Sequence, residues 1–92
     1  MCRNIKPLFN FEPPTTDDQA RAAALQYVRK VSGMTKPSQA NAAVFDEAVN
    51  EIELATMRLL VRLTTTAPPK DREAWEEARR AKNRERFARP TP

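Results

Sequence analysis

Ala40-Asn41-Ala42-Ala43-Val44-Phe45-Asp46-Glu47-Ala48-Val49-Asn50-Glu51-Ile52-Glu53-Leu54-Ala55-Thr56-Met57-Arg58-Leu59-Leu60-Val61-Arg62-Leu63 contains neither glycine nor proline. From the Ser38 cap to Thr64, about 25 residues make a helix roughly 37 Å long. Val44, Phe45, Ala48, Ile52, Ala55, Leu59 and Leu63 recur at helical spacing and form one apolar stripe. Ala43, Leu54, Met57 and Val61 form a second stripe, nearly opposite, leaving Glu51, Arg58 and Arg62 as a narrow polar edge. One partner helix cannot cover both stripes, so the second needs the N-terminal arm, a third helix or another copy of the chain.

Upstream, Gly33 follows Val31-Ser32 where a left-handed residue ends a helix, and Pro37 confirms the stop. The helix it closes starts at Thr16-Asp17-Asp18-Gln19, whose spacing fits a capping box. Its apolar face is Ala20, Ala24, Tyr27, Val28 and Val31, and it partners the long helix across the Gly33 turn. Residues 1–15 hold three prolines together with Ile5, Leu8, Phe9 and Phe11, which reads as an extended arm packed on the domain. Downstream, Pro68-Pro69 breaks the chain and Asp71 can cap a third, charged helix with Ala74, Trp75, Ala78 and Ala81 as its apolar positions. Glu76 and Arg80 stand at the spacing of a helical ion pair. The expected fold is all-α: a hairpin of two long amphipathic helices plus the arm and a shorter third helix. One domain spans residues 1–87, with the arm over 1–15, helices over 16–32, 38–64 and 70–84, and a disordered tail over 88–92.

With 92 residues the chain has room for one thin core, burying roughly 60 to 65% of its unfolded surface. Hydrophobic residues make up 40% and charged ones 30%, a folded rather than disordered composition. The lone Cys2 closes no internal disulfide, and the absence of histidine removes the usual zinc sites and hydrolytic triads, so no metal or cofactor is expected. The longest purely aliphatic run is Leu59-Leu60-Val61, too short for a membrane span, and Asn10, Glu12 and Pro13-Pro14 interrupt any signal-like run after Arg3 and Lys6. A cytoplasmic location is expected.

Met1-Cys2-Arg3-Asn4-Ile5, Asn10-Phe11-Glu12-Pro13-Pro14, Ala22 through Gly33 and Ala67-Pro68-Pro69-Lys70-Asp71-Arg72-Glu73 together resemble the small bacterial proteins catalogued as domain of unknown function 2277. The resemblance reaches to about Phe87. It implies a free-standing bacterial protein whose arm belongs to the domain, and it carries over no catalytic residues.

Cys2 is the one catalytic candidate, since loss of the initiator methionine would leave a terminal amine beside a thiol. That opening resembles the Met-Cys-Gly-Ile start of glutamine amidotransferases, but Arg3 stands in place of glycine and their large sheet sandwich cannot be built from this chain. Arg3 can lower the thiol pKa, which makes a redox-sensitive cysteine the milder version. Net charge is +4, and Arg79, Arg80, Lys82, Arg84 and Arg86 form a basic segment able to neutralise phosphates. Glu73, Glu76 and Glu77 upstream weaken that nucleic-acid reading, and a solvated helix end whose positive charges complement the helix dipole is the favoured explanation. Trp75 and the Phe9–Phe11 pair read as packing anchors. The leading expectation is a non-catalytic protein-interaction or self-associating module, a homodimer joined through Leu54, Met57 and Val61. Nucleic-acid binding is the alternative, and a small enzyme or redox-sensitive protein using Cys2 comes third.

Overall fold

The computed structural model describes residues 5–88, with side chains over 5–84. Three helices dominate: α1 over Asp17–Ser32, α2 over Ala42–Arg62 and α3 over Arg72–Ala88. Two-residue strands, β1 at Phe11–Glu12 and β2 at Lys70–Asp71, are a minor addition to the expected all-α hairpin.

Local chemistry sets the helix ends. The Thr16 hydroxyl accepts the Gln19 amide at 3.3 Å while the Gln19 side chain accepts the Thr16 amide at 3.0 Å, so the capping box is complete. Gly33 closes α1 in the left-handed region at φ 74°, its amide donating to the Arg29 carbonyl. Helical backbone in α2 begins at Ala42 rather than Ser38. The Asn41 backbone amide donates to the Ser38 carbonyl and the Asn41 side chain to the Ser38 hydroxyl, both at 3.0 Å, a turn that occupies the serine which would have capped the helix. At the far end Leu63 is already extended.

Helices α1 and α2 pack against each other through Ala24 and Val28 on one side and Phe45 and Val49 on the other. Leu25, Ala48 and Ile52 flank this core. Val49, which belongs to neither stripe of the sequence pattern, is its largest fully buried side chain. The seam is narrower than the pattern: Val44 is 68% exposed beside Phe45 at 7%, and Tyr27 and Val31 of α1 also face outward. Leu59 and Leu63 are exposed for a different reason, which is length. Arg21 donates to Asn50 and Glu53 at 2.8 and 2.9 Å, setting the start of α1 beside the middle of α2. A helix of 16 residues reaches about 24 Å and one of 21 about 31 Å, so the end of α2 overhangs its partner.

The arm joins this hairpin to α3. Asn10 adopts φ 63°, a conformation asparagine tolerates better than most residues, and its side-chain amide donates to the Pro68 carbonyl at 3.2 Å. Its own carbonyl accepts the Lys70 amide at 2.8 Å, opening a parallel register in which Phe11 pairs with Lys70 and Glu12 with Asp71. Asp71 then caps α3 by accepting the Ala74 amide at 2.8 Å. Phe11 is buried against the edge of Trp75, ring centroids 5.5 Å apart, with the Lys70 and Arg72 cations over its ring. Arg72 also donates to the Pro13 carbonyl and the Thr15 hydroxyl.

Neighbouring positions in α2 should therefore respond very differently to truncation. Phe45→Ala is expected to lower unfolding stability by about 3–5 kcal/mol, and Val44→Ala by no more than about 0.5 kcal/mol. Urea unfolding followed by circular dichroism measures both, and equal losses would contradict the seam.

Candidate functional site

Overhang and arm together create an open groove of about 430 Å³ between the arm, α1 and the end of α2. Ile5, Leu8, Phe9, Tyr27, Leu59 and Leu63 line it, and Lys6 and Lys70 bring its charges. Four of these large apolar residues, Ile5, Tyr27, Leu59 and Leu63, are exposed. Their spacing alone assigned Tyr27, Leu59 and Leu63 to the hairpin seam. For Leu59 and Leu63 the signal that could have separated them was the difference in helix length, since a shorter partner cannot reach the last turns of a longer one.

The residues expected as the contact stripe are not alike. Met57 is half-buried and, together with Val61, lines a crevice with Leu8, Phe9, Phe11 and Leu60, on the flank of α2 that the arm approaches. Leu54 and Val61 are 63% and 78% exposed. Between them stand the exposed Arg58 and, at neighbouring turns, Glu47, Asn50 and Glu51, so this outer flank is mixed rather than continuously apolar.

The basic segment also divides, because consecutive residues of a helix face directions 100° apart. Glu77 accepts from Arg80 at 3.0 Å and from Arg84 at 3.1 Å, which neutralises much of that face. Glu76 does not pair with Arg80 as the spacing suggested. It lies on the arm-facing side, where the Lys6 ammonium meets it at 2.6 Å with both side chains largely sheltered. Arg79 sits over the Trp75 ring at 5.6 Å and, with Lys82, lines a second hollow against Ile5, Lys6 and Pro7. The Arg86 side chain and Cys2 lie outside the described residues.

The hydrogen bond from Lys6 holds the Glu76 carboxyl below the ordinary carboxylate range, against the opposing effect of partial burial, and the charges of Lys6, Arg79 and Arg80 reinforce it. Hydrogen bonds from Arg80 and Arg84 lower Glu77 in the same direction. Among the described residues no three His, Cys, Asp or Glu side chains converge as metal ligands, and no helix is long and apolar enough to cross a membrane.

A depressed carboxyl stabilises the fold above its unfolded pKa and loses that contribution as pH falls through the folded value. The Lys6–Glu76 tether should therefore hold at neutral pH and release only below the ordinary carboxylate range. Emission from Trp75, the residue next to Glu76 in the chain, is expected to shift in that acid window in the wild type, while Glu76→Gln abolishes the Glu76-dependent step. A step of unchanged size in the variant would show that the tether is not its source.

No curated protein and no solved structure matches the chain. Residues 1–80 match the model of a family described as "Uncharacterized conserved protein (DUF2277)", and with the match running from the arm through the Trp75 face of α3, the chain belongs to that family.

Proposed function

We propose that this chain is a non-catalytic, self-associating helical module whose contact is the apolar groove at the overhanging end of α2. The observation that carries the reading is the surface left uncovered. Ile5, Tyr27, Leu59 and Leu63 are 46%, 50%, 55% and 43% exposed around one groove, more apolar surface in one place than a monomer ordinarily leaves wet. A standard interface removes about 800 Å² per partner, and a twofold contact centred on the groove would cover these residues. Ile5, Tyr27, Leu59 and Leu63 supply an apolar centre, and Lys6 and Lys70 a polar rim. In this reading the partner is a second copy, and Leu54 lies on the far side of α2 from the contact. The single cysteine fits a reducing, cytoplasmic setting in a bacterial cell.

Nucleic-acid binding through the entire basic segment has less support, because Arg80 and Arg84 share Glu77. Catalysis through Cys2 gains no support from the described residues.

Sedimentation velocity on the full chain tests the proposal. The wild type is expected to be a dimer, Leu59→Glu combined with Leu63→Glu a folded monomer, and Leu54→Glu still a dimer. A wild type that stays monomeric at every concentration refutes self-association. Dissociation by Leu54→Glu but not by the Leu59 and Leu63 pair refutes the groove as the contact.

A further inference from the structure

The hollow on the other side of the arm has a chemistry unlike the groove. It measures about 410 Å³. Trp75, Arg79 and Lys82 follow one another at i, i+4 and i+7, which places an aromatic ring and two cations on one face of α3 over roughly 10 Å. Ala78 beside them is small enough to leave the face concave, and Ile5 and Pro7 of the arm form an aliphatic opposite wall. Lys6 is tied to Glu76, but neither Arg79 nor Lys82 has an ion-pair partner among the described residues. A bare inorganic anion would leave the aromatic and aliphatic walls unused, and an uncharged apolar molecule would leave both cations without a direct ion-pair partner. Both demands are met by a flat ring that carries an anionic group.

We propose that this hollow binds a nucleoside phosphate, its base against Trp75 and the Arg79 guanidinium and its phosphate on Arg79 and Lys82. Guanidinium and indole both stack on bases, and arginine offers paired donors to phosphate oxygens. The site is built for one nucleotide rather than a strand. A strand needs cations that continue along its backbone, and on the adjacent face Arg80 and Arg84 already share Glu77.

Trp75 is the protein's one tryptophan, so the site contains its own reporter. The experiment titrates the full chain at low salt with adenosine monophosphate, adenosine, inorganic phosphate and adenosine oligonucleotides of increasing length, reading Trp75 emission and calorimetric heat. Saturable quenching by adenosine monophosphate is expected, with adenosine and inorganic phosphate each at least roughly tenfold weaker and Lys82→Gln and Arg79→Gln each losing roughly tenfold in affinity. Arg80→Gln should bind like the wild type. Because Arg79 leans on Trp75, circular dichroism checks that variant, and Lys82→Gln decides the matter if Arg79→Gln does not fold. No saturable response, equal affinity for inorganic phosphate, or wild-type affinity in Lys82→Gln overturns the proposal. Affinity that climbs steadily with oligonucleotide length also overturns it, in favour of strand binding.

Discussion

The structure depends on how Phe11 is held. This ring is buried at the junction of the arm and α3, edge-on to Trp75 and covered by two cations. Burial of such a side chain contributes roughly 1.5–3 kcal/mol and an aromatic pair roughly 0.5–1.5 kcal/mol more. Ion pairs near a surface contribute at most about 1 kcal/mol each. Phe11 therefore outweighs the Lys6–Glu76 bridge in fixing the arm to α3, and the bridge selects the rotation of the helix rather than its attachment. Asn10 makes the placement possible, because its left-handed backbone turns the arm so that its carbonyl meets Lys70.

That junction explains why a third helix with few apolar positions persists. Mean composition alone leaves α3 too polar to fold unaided, and tertiary docking is what most helices of this length require. Docking arrives through Trp75 at one end of the helix and through Arg72, which reaches the Pro13 carbonyl and the Thr15 hydroxyl. The rest of α3 remains solvated along its outer side, where Glu77 can gather Arg80 and Arg84 without competition from the arm.

Features decided within a few residues were legible in the sequence. Thr16 with Gln19, Gly33 and Asp71 each act on backbone groups of their own turn, so spacing alone identifies them. The long stripe-bearing helix and the all-α class followed from periodicity for the same reason. Features that depend on the length or position of a distant partner were not legible. Periodicity says that Leu59 and Leu63 share a face with Phe45, but not that the first turn of α1 begins short of them. It says that Glu76 can reach Arg80, but not that Lys6, 70 residues away in sequence, stands closer. Val49 escaped because the seam centres on the Phe45 edge of the stripe, one position beyond the face that periodicity emphasises.

The placement of the arm bears on both candidate sites at once. Ile5, Lys6 and Pro7 line the apolar groove on one side and the basic hollow on the other. A three-residue wall shared by two cavities cannot shift toward one without changing the other. A ligand that drew this segment toward Trp75 and Arg79 would widen the groove, and a partner seated in the groove would press the segment toward α3. Any such effect must be reciprocal, since the free energy by which one occupant changes the affinity for the other is the same in both directions. Its size is limited by how firmly the wall is already held, and Lys6 holds it through Glu76. The charge state of that carboxyl therefore affects how far the partition can move, and removing the bridge would enlarge the effect.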